Sequence, residues 1–208
     1  MPALPPPLHY LALGDSYTIG EAVAARSRWP VVLVERLRRA GVVIDDPRIV
    51  AVTGWTTDEL AHGMDEASLA ADYDLVTLQI GVNNQYRGRS AEEYRGQFAG
   101  LLARAIASAG GRPARVVVVS IPDWGVTRFA RDQGRDPAVI AAALDAFNTL
   151  AREQCERAGA HFVDVTAISR RHPELVAEDG LHPSAAQYAS WVEAILPVAR
   201  EALGMSVP

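Results

Sequence analysis

Arg115-Val116-Val117-Val118-Val119-Ser120-Ile121 is an unbroken, largely β-branched run that stops at Pro122. A strand with one wet face would alternate apolar and polar residues. This one does not, so it reads as a strand covered on both faces, the signature of a parallel sheet. Upstream, Ser90-Ala91-Glu92-Glu93 forms a capping-box pattern opening a helix over Tyr94–Ala109, which stops at Gly110-Gly111. Downstream, Pro137–Ala158 is alanine-rich, of helical period, and closed by Gly159.

The same alternation extends to both ends of the chain. Leu8–Leu13, Arg48–Val52, Leu75–Ile80 and the short His161–Val165 read as four more strands. Trp29–Ala40, Thr57–Ala70 and Ser184–Leu203 read as further helices, the last with Ser184 as N-cap. Strand and helix repeated about five times predicts an α/β fold, a doubly wound, roughly five-stranded parallel sheet with helices on both faces. No repeat or linker interrupts it, so residues 1–208 are expected to be one domain, with residues 1–7 flexible. The polar stretch Asp123–Pro137 is the longest connection and is expected to form a flap on the substrate side.

Composition narrows the chemistry. The 208 residues are 49% hydrophobic and 22% charged with a net charge of −5, which argues against nucleic-acid partners and anionic membrane surfaces. All 20 basic residues are arginine, so a Schiff-base lysine, a PLP lysine and a Walker-A loop are excluded. Cys155 is the sole cysteine, which excludes an internal disulfide and a multi-cysteine metal cage. No run approaches the roughly 20 apolar residues of a membrane span, and Met1–Pro7 lacks the pattern of a signal peptide. A cytoplasmic protein without stable membrane insertion is expected. The sequence carries no signal for an oligomeric state.

In a doubly wound sheet, ligands bind at the carboxyl ends of the strands. Four segments fall there: Gly14-Asp15-Ser16, Gly54, Gly81-Val82-Asn83-Asn84 and, before the last helix, Asp179-Gly180-Leu181-His182-Pro183. A serine hydroxyl is a poor nucleophile at neutral pH and needs a base. His182 is placed to take the Ser16 proton, and Asp179 to orient the imidazole. Gly54, Asn83 and the Ser16 N–H are candidate donors to a developing oxyanion. Each has an ordinary structural reading too: Ser16 as a turn or cap residue, Asp179-Gly180 as a turn, Gly54 as a left-handed turn and Asn83 as a brace for its own loop.

Taken in order, these four blocks resemble the SGNH hydrolases, also called the GDSL esterase/lipase family. The resemblance spans nearly the whole chain and implies a three-layer α/β/α flavodoxin-like fold and hydrolysis of acyl esters without metal or organic cofactor. It also implies Ser16 as nucleophile, His182 as general base and acid, Asp179 as its orienter, and Ser16, Gly54 and Asn83 as the oxyanion hole. One position departs from the pattern. The family usually has Gly-x-Asn-Asp in the third block, and here Asn84 stands last, keeping the loop's hydrogen bonds and losing a charge.

The Gly-x-Ser-x-Gly elbow of α/β-hydrolases is absent, since Thr18 stands two residues past Ser16. His9, His62, His161 and His172 show no metal-ligand spacing, and Cys155 is expected to pack inside its helix. Tyr17, Trp55, Tyr86, Trp124 and Phe129 all fall on strand-end loops and are expected to line an apolar pocket. Arg87, Arg128 and Arg131 are expected to be solvated. The substrate is expected to be a small, short-chain acyl ester. A carbohydrate O-deacetylase or a thioesterase would use the same site. A non-catalytic flavodoxin-like binding module is the competing class, disfavoured because Asp15–Gly20 is not a Ser/Thr/Gly-rich phosphate loop.

Overall fold

The computed structural model describes residues 6–205. The expectation of a flexible start thus lies, for residues 1–5, outside the described residues. In chain order, β1 (Tyr10–Gly14) leads through α1 (Ser16–Ile19) and α2 (Trp29–Arg39) to β2 (Arg48–Ala51). Helix α3 (Thr57–Glu66) precedes β3 (Leu75–Gln79), and α4 (Val82–Tyr86) and α5 (Ala91–Ser108) precede β4 (Val116–Val119). Then come α6 (Arg128–Asp132), α7 (Pro137–Ala158), β5 (His161–Val163), α8 (Thr166–Arg171) and α9 (Ala185–Ala202).

All five strands are parallel, in the order β2-β1-β3-β4-β5. The central strands are the ones buried on both faces: every residue of β1, β3 and β4 is inside. At the edges, β2 opens with exposed Arg48 and β5 with half-buried His161 and Phe162. Polar groups beneath the helices are matched to one another. Tyr10 pairs with Thr77 at 2.9 Å, Trp29 Nε1 donates to Gln79 Oε1 at 3.2 Å, and Gln79 Nε2 donates to the Ser120 carbonyl at 3.1 Å. Helices α2 and α9 pack together, and α5 packs against both α3 and α7. This is the three-layer α/β/α arrangement that the alternation predicts.

The sheet order reverses beside β1. The chain steps from β1 out to β2, then returns across β1 to β3. That reversal leaves a crevice at the carboxyl ends of β1 and β3, and the segments after these strands begin with Asp15 and Ile80.

Several boundaries differ from the sequence reading. The Thr57–Ala70 helix ends at Glu66, because Ser68 takes φ +46° and turns the chain back toward β3. Strand β4 stops at Val119, two residues before Ile121. There Asn148 replaces the ladder, accepting from the Ile121 N–H at 2.8 Å and donating to its carbonyl at 3.0 Å. The first half of the expected flap over 123–137 is a packed wall up to Ala130, and residues 131–137 are exposed. Asp123 caps the turn Trp124–Val126, the Thr127 side chain caps α6, and Trp124 and Ala130 are buried.

Candidate active site

Ser16 is placed by a tight exit from β1. A Cβ on Gly14 would lie 2.1 Å from Thr18 Oγ1 and 2.6 Å from the Gln79 carbonyl, so only glycine allows the chain to turn this closely. Asp15 then caps α1, with Oδ1 accepting from the Tyr17 N–H at 3.0 Å. Ser16 thereby becomes the first residue of a helical turn, where a backbone N–H has no preceding carbonyl of the helix to bond. Asp15 itself is 1% exposed, and burial pushes its carboxyl up to about 7.

The second half of the site is a loop folded around one carboxylate. Asp179 Oδ1 accepts from the backbone N–H groups of Leu181 at 2.9 Å and His182 at 3.0 Å. Its Oδ2 sits 2.6 Å from His182 Nδ1. Burial works to raise the Asp179 pKa, but these hydrogen bonds outweigh it and hold the carboxyl below its ordinary value. A carboxylate only accepts, so Nδ1 carries the proton and Nε2 is left with its lone pair. His182 Nε2 lies 3.0 Å from Ser16 Oγ, where it accepts the hydroxyl hydrogen. The Tyr17 ring stands edge-on to the imidazole, 5.7 Å between centroids. Helix α6 braces the loop from outside: Phe129 N donates to the Gly180 carbonyl at 3.0 Å, and Arg128 Nη2 to the Glu178 carbonyl at 2.7 Å.

Gly54 and Asn83 approach from the neighbouring loops. Gly54 adopts φ +88°, a conformation that disfavours any side chain. Asn83 lies in α4, and its Nδ2 donates one hydrogen to the Trp55 carbonyl at 2.9 Å, leaving the second available. Asn84, fully buried, accepts from Thr57 N at 3.1 Å and donates to Thr57 Oγ1 at 2.7 Å. The Thr57 hydroxyl itself donates to Gln97 Oε1 and so accepts from the Asn84 amide, where the family's aspartate would instead accept.

Ser16, Gly54, Asn83 and His182 open onto one cavity of about 220 Å³. Its apolar walls are Tyr17, Val82, Tyr86, Trp124, Phe129 and Leu181, with Thr53 beside Gly54. Of the expected aromatic residues, Trp55 is not there. Its ring turns away onto α3, occupying the notch left by Gly63, where a Cβ would be 2.1 Å from the ring. Thr53, Val82 and Leu181 were not singled out in the sequence. Each neighbours a residue that was, which is the only signal they carry. The Arg135 guanidinium lies 5.4 Å from the Tyr86 ring centre and 5.6 Å from that of Trp124.

The other candidates lie elsewhere. His9, His62 and His172 face Asp45, Glu66 and Glu174 respectively, and His161 bonds the Ala114 carbonyl. Cys155 is free and fully buried, and burial pushes its thiol up to about 12. Among the described residues, no group of three or more His, Cys, Asp or Glu is placed to hold a metal ion. Among the same residues, no helix is long and apolar enough to cross a membrane.

Comparison with known proteins agrees with this topology. Residues 12–189 match the family model of the GDSL-like Lipase/Acylhydrolase family. Among solved structures, the chain is similar to a lipase/acylhydrolase from Enterococcus faecalis, with TM-score 0.69, 21% identity and coverage of 95% of this chain and 96% of that one. It is also similar to a psychrotrophic esterase from Pseudoalteromonas sp., inhibited by monoethylphosphonate, with TM-score 0.70, 14% identity and coverage of 94% and 98%. An acetyl xylan esterase from Geobacillus stearothermophilus gives TM-score 0.69 at 18% identity, covering 97% and 98%. A search of curated proteins found no match.

Proposed function

The chain belongs to the GDSL-like lipase/acylhydrolase family and is a serine ester hydrolase, and from that premise we propose that it cleaves short-chain acyl esters through an acyl-enzyme formed on Ser16. The observation that carries this reading is the unbroken relay from Asp179 through His182 to Ser16, at 2.6 and 3.0 Å. His182 Nε2 removes the hydroxyl proton as Ser16 Oγ attacks the ester carbonyl. The resulting imidazolium is stabilised by Asp179, whose lowered pKa keeps it ionised. Negative charge develops on the former carbonyl oxygen, and on this reading the Ser16 and Gly54 N–H groups and the second Asn83 amide hydrogen stabilise it. His182 then returns the proton to the departing alcohol. Water, activated by the same imidazole, attacks the acyl-serine and frees the acid, and the proton goes back to Ser16.

The preference for short acyl groups rests on volume. The cavity is small, about 220 Å³, and walled by the buried rings of Tyr17 and Trp124, which favours an acetyl or butyryl group over a long acyl chain. The same reading takes residues 1–208 as one domain acting on a small ester. The phosphonate inhibition of the Pseudoalteromonas esterase supports a nucleophile of this type.

The decisive experiment is labelling with a fluorophosphonate, followed by mass spectrometry of the modified peptide. Modification of Ser16, lost in Ser16→Ala and His182→Ala, is the expected result. A label elsewhere, or turnover retained by Ser16→Ala, overturns it. On p-nitrophenyl esters, acetate and butyrate should react faster than decanoate or longer. An acetylated sugar or a thioester outpacing them would assign the same residues to a deacetylase or thioesterase.

A further inference from the structure

Gly54 raises a problem that the relay does not solve. A glycine at φ +88° is chosen because it tolerates this conformation, but the same freedom leaves its peptide direction soft. An N–H that is to meet a developing oxyanion must point correctly before the reaction begins. Something outside the loop has to hold the glycine.

We propose that Arg87 is a positioning residue that clamps the Gly54 and Asn83 loops together and so fixes the aim of both donors, resting on the reading of these two as oxyanion donors. Two contacts carry the argument. Arg87 Nη2 donates to the Gly54 carbonyl at 2.7 Å, and the Arg87 backbone N–H donates to the Asn83 carbonyl at 3.0 Å. One residue therefore ends α4 on Asn83 and reaches across to grip Gly54 from outside. Its guanidinium covers the glycine, 3.7 Å from where a Cβ would stand.

The clamp is itself held. Glu59 lies 3.4 and 3.5 Å from Arg87 Nη1, and accepts from Thr56 N at 2.8 Å in the first turn of α3. The hydrogen bond from Thr56, with Arg87 adding to it, keeps Glu59 below its ordinary pKa, so the carboxylate stays charged opposite the guanidinium. Gly54 and Glu59 are five residues apart, so both arms of the guanidinium bind one short segment. Lysine, with a single rotating ammonium, cannot match the two directions together.

Arg87 is exposed, and exposed ion pairs add little to stability. Its loss should therefore register in turnover and hardly in melting. The experiment compares Arg87→Ala, Arg87→Met and Arg87→Lys with wild type, using p-nitrophenyl acetate. The expected result is a fall in kcat of about tenfold or more for all three with KM within about twofold, Tm almost unmoved, and partial recovery of Arg87→Ala by guanidinium ion at sub-denaturing concentration. Unchanged kcat, a loss confined to KM, or no response to guanidinium overturns the clamp. If Ser16→Ala and Asn83→Ala retain their rates, the catalytic reading itself fails. If they lose them while Arg87→Ala does not, only the role of Arg87 falls.

Discussion

Replacing Asn83 separates an electrostatic role from a structural one. In Asn83→Ala, the amide that donates to the Trp55 carbonyl at 2.9 Å disappears together with its second hydrogen. Loss of the structural bond costs about 1 kcal/mol, or about 2–4 °C in Tm for a chain of this size. Loss of a donor to the transition state costs about 3–4 kcal/mol of barrier, a fall in kcat of two to three orders of magnitude. The two effects differ enough to be read from one preparation. Asn83→Asp sharpens the contrast, because its carboxylate would face both the Trp55 carbonyl and the developing oxyanion. It should be slower than Asn83→Ala although nearer to the parent in size. Initial rates on p-nitrophenyl acetate, alongside thermal melts, give kcat, KM and Tm. A kcat within threefold of wild type in Asn83→Ala, or Asn83→Asp as the faster of the two, would refute the oxyanion role.

Two other substitutions probe the foundation beneath Ser16. Burial holds the Asp15 carboxyl at about 7, above the value near 3.9 of an unfolded chain. Its favourable contribution is complete below the lower value and drains away as pH climbs through 7, a difference of roughly 4 kcal/mol. Asp15→Asn should therefore melt higher than wild type at pH 8, with the gap closing by pH 4; equal Tm at pH 8 contradicts the buried charge. Gly14→Ala would press a methyl to 2.6 Å from the Gln79 carbonyl, costing about 3 kcal/mol or more. Melting together with fluorophosphonate labelling tests it, and a variant as stable and as reactive as wild type would contradict the tight exit from β1.

The sheet was legible because burial on both faces leaves a local trace. Val116–Val119 has no polar alternation, and the structure covers every residue of it. Asp179 and His182 were legible as a pair because they share one loop, where the Asp179 carboxylate bonds the backbone and the ring of His182. Trp55 was misjudged because a loop position does not say which way a ring turns. Its direction is set by the Gly63 notch on the next helix, a contact with no periodic signature. Arg87 was expected to be solvated, since nothing in its neighbourhood names the Gly54 carbonyl, 33 residues away in sequence, as its partner. The packed half of 123–137, up to Ala130, was expected to be part of a flap because its helix is a single short turn capped by Thr127, too brief for a helical period to register.

The separation of 166 residues between Ser16 and His182 has a consequence for how the enzyme comes into being. On the proposed mechanism, synthesis delivers the nucleophile well before its base, and the loop that carries the base runs directly into α9, which packs against α2. A nascent or truncated chain ending before residue 179 would own the serine and none of its reactivity. Esterase turnover is thus a readout of completed folding, and a split placed between α8 and α9 would make two silent fragments whose reunion could be followed by colour.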